Sequence, residues 1–310
     1  MNAATPAQTF RRIVVGVALT CDDGLGAGTR RALLRARQIA EETGAHLSLV
    51  HSTRADERWD SRQGNFVHVA DRVTEEARER LAGTLSDLEG SGIDAELVLS
   101  SEPAELAIIR RVLGEGADLA IVGKRAEARH DARRLGSVSM KLLHQCPCPV
   151  WVEKAEEAGP LGTIVAATDL TPVGLRVVHL AGALAVQFGA ELHVVHAFQM
   201  PLDVQIGGPK AEEEFVARMR RETTERVAAQ LEGVLPRDKA GIHVGLTSPT
   251  RAVLEAVERL DPDLVVLGSV SRGGIAGLLI GNTAERLLGR LDCSILTVKP
   301  EDFVCPVASG

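Results

Sequence analysis

One stretch of this chain occurs twice. Laid over "FGAELHVVHA" (188–197), the segment "TGAHLSLVHS" (43–52) puts Gly44 on Gly189 and His51 on His196, an offset of 145 residues. The same offset carries Gly123 onto Gly268, Gly136 onto Gly281 and Cys148 onto Cys293. Near the start of each copy, "VVGVALT" (14–20) falls on "VAATDLT" (165–171) at an offset of 151. The six-residue difference is an extra Gly-rich piece around "CDDGLGAG" (21–28). A constant offset across separate landmarks marks a duplicated domain. The length of 310 residues accommodates two domains of about 150 each. The expected copies are 1–154 and 161–310, joined by the acidic, Gly-Pro-bearing linker "KAEEAGP" (154–160).

Within each copy, short β-branched runs alternate with amphipathic stretches. Strands are predicted at 12–19, 46–51, 95–99, 118–123 and 149–153, and again at 163–168, 190–196, 241–246, 263–268 and 294–299. The runs "DLAIVG" and "DLVVLG" are continuously apolar, as strands covered on both faces must be. Between strands, Val69, Val73, Ala77, Leu81, Leu85 and Leu88 recur every three or four residues and line one face of a helix. Such alternation implies an α/β fold: two tandem five-stranded parallel-sheet sandwiches with right-handed crossovers.

Composition narrows the partners. The net charge is −7, which argues against a chain built to neutralise a nucleic-acid backbone or an anionic membrane surface. Aromatic residues make up 3% with no Tyr, so a stacking platform for single strands is not expected. Residues 1–12 lack the apolar core of a signal peptide, and the apolar stretch 177–195 is broken by Gly189 and carries His179, Gln187, Glu191 and His193. The expectation is a cytoplasmic protein that binds neither membrane nor nucleic acid. Five cysteines fit a reducing compartment. Cys146 and Cys148 flank one proline with no second pair at zinc spacing, so buried, inert thiols are expected and no metal site is.

In open parallel sheets the ligand crevice lies beyond the carboxyl ends of the strands, where strand order reverses. The loop after the fourth strand of the second copy reads "GSVSRGGIAGLLIGNTAERLL" (268–288). Its glycines let backbone approach a ligand, and Gly281-Asn282-Thr283 opens a helix whose free N–H groups suit an anion. Gly-rich strand-to-helix turns also arise for structural reasons alone, and both readings stand at this point.

The pattern Gly-x2-Gly-x9-Gly-Ser/Thr, closed by a strand such as "CPVWVEK" or "CSILTVKP", resembles the universal stress protein family over nearly the whole chain, twice. The segment "GSVSRGGIAGLLIGNTAERLLGRLDCSILTVKPEDF" resembles the tandem-domain, E-type members. The resemblance implies a nucleotide-binding-like α/β fold, with ATP bound by some members and absent from others. It places Asp169 beside the adenosine, and Gly268, Ser271, Gly274, Gly281, Asn282 and Thr283 around the phosphates. Ser271 stands where the pattern has its second glycine, and Asn282 where it has Ser/Thr. The first copy keeps Gly123, Gly136 and Ser137 but has Ala126 at the second glycine and Ala18 in place of Asp169. The second copy is therefore the better candidate for ATP or a related nucleotide, and the first is degenerate. In the family, single-domain members pair through their last strands, which implies an internal pseudo-dimer here. Assembly into a homo-oligomer is compatible with the same sequence.

The other candidates favour plainer readings. Lys124, Arg125, Arg129, Arg133 and Arg134, interrupted by Glu127 and Asp131, read as a solvated, self-paired surface helix rather than a phosphate clamp. His51 and His196 lack nearby ligands and read as structural. Asp22 and Asp23 lie on the inserted piece, where they would help a helix start near Thr29. Ser248 and Ser269 suit helix or turn caps. No nucleophile elbow, P-loop or paired metal-binding histidines occur, so no enzyme signature is present. The functional expectation is a non-catalytic stress-response protein with a small-molecule crevice in its second copy. The alternatives are ATP binding with slow ATPase activity, or another phosphate- or acyl-bearing ligand held against the apolar "GIAGLLI" wall.

Overall fold

The computed structural model describes residues 10–20, 24–55, 66–124, 135–154, 160–269 and 282–307. They form two compact units, one mainly within 10–157 and the other mainly within 158–302.

The first unit contains β1 (Arg12–Val17), α1 (Ala27–Thr43), β2 (His46–Ser52), α2 (Phe66–Gly90), β3 (Ala95–Ser100), α3 (Ala104–Glu115), β4 (Leu119–Gly123), α4 (Ser137–Gln145) and β5 (Val150–Glu153). Its strands lie in the order β3-β2-β1-β4-β5, and every pairing is parallel. The second unit repeats this with β6 (Thr163–Ala167), α5 (Pro172–Phe188), β7 (Glu191–Phe198), a short α6 (Leu202–Ile206), α7 (Pro209–Gln230), β8 (Ala240–Leu246), α8 (Pro249–Leu260), β9 (Leu264–Gly268), α9 (Asn282–Leu288) and β10 (Ser294–Val298). Its order is β8-β7-β6-β9-β10, again all parallel. All ten expected strands form; central strands such as β4 and β9 are continuously apolar and buried, whereas the edge strands β3 and β8 are mixed in sequence and half-buried. With right-handed crossovers, the jump from the third strand to the fourth moves the last two helices to the other face. The reversal point lies between the first and fourth strands of each unit.

The periodic helix is α2: Val73, Ala77, Leu81 and Leu88 are buried on its inner face. The matched glycines have a backbone cause. Gly44 (φ 69°) and Gly189 (φ 63°) end α1 and α5 in the left-handed conformation, which glycine adopts without steric cost. At the ends of α3 and α8 the copies differ, with Gly116 (φ 63°) in one and Asp261 (φ 42°) in the other. Asp261→Gly is expected to raise stability by roughly 0.5–1 kcal/mol in urea unfolding, by removing side-chain strain from a left-handed cap. No gain would mean that Asp261 is held there without strain.

The expected helix start near Thr29 lies two residues earlier, at Ala27, with Gly26 as a cap that offers no side-chain acceptor. Asp22 and Asp23 lie outside the described residues. Cys146 and Cys148 are buried with their sulfurs 3.5 Å apart. Burial, with Cys146 adding to it, pushes the Cys148 thiol well above its ordinary value, so neither a reactive thiolate nor a metal ligand is favoured there.

Candidate functional site

At the end of β6 the chain makes a tight, strained turn into α5. Leu170 has φ 62°, a left-handed geometry that costs a β- or α-preferring side chain about 1–2 kcal/mol. Hydrogen bonds on both sides hold it. Thr168 Oγ1 accepts from Leu170 N at 3.1 Å, and Asp169 Oδ1 accepts from Thr171 N at 3.1 Å and Thr171 Oγ1 at 2.5 Å. Thr171 then caps α5 by accepting from Gly174 N. A Cβ at Gly174 would fall 2.6 Å from Thr168 Oγ1 and 2.7 Å from Asp169 Oδ1, so glycine is required for the helix to start this close. The result is an exposed Asp169 carboxylate, fixed through Oδ1 and, among the described residues, without a partner at its other oxygen.

Beside it, β9 ends at Gly268, which gives Val173 of α5 room to pack: an added Cβ would lie 2.8 Å from Val173 Cγ1. Ser269 follows and is buried, and its hydroxyl has no hydrogen-bond partner among the described residues. The expected cap at Ser269 is therefore absent among them, whereas Ser248 does cap α8 by accepting from Arg251 N. On the other side of β6, Thr168 Oγ1 donates to Gln230 Oε1 of α7 at 2.9 Å. The helix α9 opens at Asn282, with Thr283 half-buried in its first turn. Asp169, Gly268 and Thr283 are thus placed at strand ends or the following helix. Ser271, Gly274 and Gly281 lie outside the described residues, as does the "GIAGLLI" segment.

His51 and His196 share one role. Each ring donates from Nδ1 to the carbonyl that ends the first strand of its unit, Val17 at 2.9 Å and Thr168 at 2.8 Å. A carbonyl only accepts, so the ring nitrogen facing it carries the proton. Burial, assisted by Arg226, holds the His196 pKa below its ordinary value against the raising effect of the Thr168 carbonyl and Asp169. Both tie the second strand to the end of the first.

The equivalent position in the first unit is arranged differently. Ala18 replaces the carboxylate, and its N–H and C=O are both engaged, the first by Thr29 Oγ1 at 3.2 Å and the second by Thr29 Oγ1 at 3.3 Å and Gly26 N. Leu19 and Leu25 form an antiparallel bridge, Thr20 N donates to Gly24 O, and Arg80 of α2 donates to Thr20 O at 2.7 Å. Arg30 holds the Leu25 carbonyl as well. Residues 24–26 are thus laid back against 18–20 at the end of β1. Gly123 is pressed against Gly28 at the start of α1, and a Cβ on either would overlap the other's neighbouring backbone. Lys124, expected on a solvated helix, is instead buried, with its N–H donating to Glu153 O and its carbonyl close against Gly28 of α1. Ala126 and the arginines from Arg125 onward lie outside the described residues.

One cluster has no counterpart among the expected sites. His46, Glu96 and Glu115 bring one ligand-type atom each within 4.8 Å of one another, at the starts of β2 and β3 and the end of α3. Arg111 ion-pairs with both carboxylates, and His46 Nδ1 also faces Asp94 Oδ2 at 2.9 Å. Burial works against the Glu96 charge, but the hydrogen bond from His46 and the Arg111 guanidinium outweigh it and hold that pKa below the usual carboxylate value. Arg111 thus places one cation against both carboxylates. Drawn from three separate elements, the cluster left no local spacing to read.

Among the described residues no helix is long and apolar enough to cross a membrane. The sequence profile described as the universal stress protein family matches residues 9–154 and 160–299. Universal stress protein E of Photorhabdus laumondii is 30% identical over 237 residues, covering 71% of this chain and 74% of the relative. Universal stress protein E of Escherichia coli K12 is 29% identical over 266 residues, covering 81% and 80%. A protein of unknown function from Pseudomonas aeruginosa PAO1 superposes with a TM-score of 0.73 at 25% identity over 96% of each chain. A universal stress protein from Archaeoglobus fulgidus shares the fold, with a TM-score of 0.68 at 18% identity over 93% of this chain and 98% of its own. Matched twice over by one profile, with both copies folded alike, this chain belongs to the universal stress protein family.

Proposed function

We propose that this is a non-catalytic stress-response protein that holds ATP or a related nucleotide at the ends of β6 and β9 in its second unit. The observation that carries this reading is the Asp169 carboxylate, presented by a strained turn with one oxygen unpartnered among the described residues, where the first unit has Ala18 under its own folded-back chain. A carboxylate in that position accepts hydrogen bonds from vicinal hydroxyls, as a ribose offers. The buried Ser269 hydroxyl next to Gly268, unpartnered among the described residues, supplies a second polar group. Asn282 and Thr283, and with them Ser271, Gly274 and Gly281, would face the phosphates.

Calorimetric titration with ATP tests this. Wild-type protein is expected to release heat and Asp169→Ala to lose about 1–3 kcal/mol of binding, the range for hydrogen bonds to a charged group. No heat, together with no nucleotide in the mass spectrum of the purified protein, would sink the proposal. A co-purifying phosphate- or acyl-bearing molecule without a nucleoside would favour the alternative ligand class. If ATP binds, any turnover is expected to be slow. On the same reading the protein works in the cytoplasm, and its copies associate as a pseudo-dimer through their last strands. Crosslinking that finds the copies tumbling independently would overturn that last part.

A further inference from the structure

Far along the second sheet from Asp169, near the starts of its strands, two imidazoles meet. His193 of β7 and His243 of β8 have ring centroids 5.2 Å apart, with Nδ1 of the first 3.1 Å from Nε2 of the second. The register sets Gly241 opposite His193 and Val195 opposite His243, so the rings are diagonal neighbours. Only glycine fits at 241: an added Cβ would overlap His193 Nδ1 and lie 3.2 Å from His243 Nε2. The contact continues at both ends. Arg259 Nη2 of α8 is 3.1 Å from His243 Nδ1, and Glu191 Oε2 is 3.7 Å from His193 Nε2.

Donor chemistry fixes the direction of this chain. A guanidinium only donates, so His243 Nδ1 accepts and its proton sits on Nε2. That proton goes to His193 Nδ1, which leaves the His193 proton on Nε2, aimed at the Glu191 carboxylate. Both rings are neutral with Nε2–H, and every link runs from Arg259 towards Glu191. An additional proton has no place in it. On His193 Nδ1 it would oppose the Nε2–H of His243, and on His243 Nδ1 it would oppose the guanidinium.

The surroundings offer little to rescue a charged ring. The β6 partner of His193 is Val165, and the β7 partner of His243 is Val195. On α8, Arg251 and Glu255 are exposed and paired with each other, and Glu258 is exposed. Among the described residues, the charged groups facing the pair are Glu191 and Arg259. We propose that Arg259, His243, His193 and Glu191 form an acid-sensitive clasp, which ties edge strand β8 and helix α8 to β7 at neutral pH and releases them on acidification. Burial, then Arg259 and His193, hold the His243 pKa below its ordinary value. Stability from the clasp is thus fully present above the ordinary histidine range and is lost as pH falls through the lowered value. The first unit has Ser48 and Val98 at these positions, and it serves as an internal control.

Hydrogen exchange of the full chain, corrected for intrinsic rates, reads this directly. Between about pH 7.5 and pH 5, protection of 240–246 and 249–260 is expected to fall about tenfold, while 95–100 and 104–115 keep theirs. His243→Gln is expected to remove the pH step, and so is Gly241→Ala, which displaces His193. Long-range proton–nitrogen NMR of the wild type near neutrality is expected to find both rings as Nε2–H tautomers, a readout independent of how well any variant folds. An Nδ1–H tautomer in either ring, an equal pH step in both units, or a step that survives His243→Gln would overturn the proposal.

Discussion

Gly123→Ala is expected to destabilise the first unit by more than about 3 kcal/mol, beyond the ordinary cost of overpacking a core. Its new methyl group would meet the backbone of Gly28, not a side chain that could turn aside. Relief would require α1 to lift from β4, and α1 carries Ala32, Leu33, Ala36 and Ile39 into the core. The matched substitution in the second unit, Gly268→Ala, meets the Val173 side chain at 2.8 Å, which can yield by a rotamer change or a small shift. It is expected to cost roughly 1–2 kcal/mol. Both tryptophans of the chain, Trp59 and Trp151, belong to the first copy, so their fluorescence follows its unfolding in urea. A Gly123→Ala loss no larger than that of Gly268→Ala would show that the close approach is not rigid.

The second large effect is expected at a buried charge. Arg35 of α1 and Glu153 of β5 are almost wholly buried and 3.4 Å apart. Trp151 Nε1 donates to Glu153 Oε2 at 2.6 Å, Arg35 Nη1 donates to Gln38 Oε1 at 2.8 Å, and the guanidinium stands 5.5 Å from the indole centroid. Glu153→Ala would remove the carboxylate that neutralises the guanidinium and is expected to cost about 3–5 kcal/mol. Replacing both partners with Arg35→Met and Glu153→Leu is expected to recover most of that loss, since neither charge of the pair is then left buried. The second unit shows the apolar solution, with Leu180, Leu296 and Val298 at the matching positions. A double variant as unstable as Glu153→Ala would mean that the pair does more than neutralise itself.

These two sites show where sequence reading stops. The strands were legible because parallel strands buried on both faces must be continuously apolar, as "DLAIVG" and "DLVVLG" are. The glycine at the end of each was legible too, but its purpose was not. What Gly123 and Gly268 make room for is decided by residue 28 or 173, on another element, and the two differ. Asp169 could be singled out through the family resemblance, whereas the strained turn that presents it could not be read beforehand. Nor could the burial of Lys124, since it depends on β5 and α1, which pack against its backbone from elsewhere in the sequence. The arrangement of His193, Gly241, His243 and Arg259 spans three elements and obeys no spacing rule. Glycine at 241 was its one trace in the sequence, and a glycine within a strand has several meanings.

The folded-back loop over β1 also bears on valence. When two identical chains pair, any opening on one appears on the other, and two bound molecules can influence each other. Here the six extra residues lie in one copy alone, and Gly26 among them donates to the Ala18 carbonyl, which Thr29 of α1 also holds. A ligand that needs the end of the first strand free finds one such place per chain. Saturation is then expected at one equivalent, along a simple hyperbola with no cooperativity between copies.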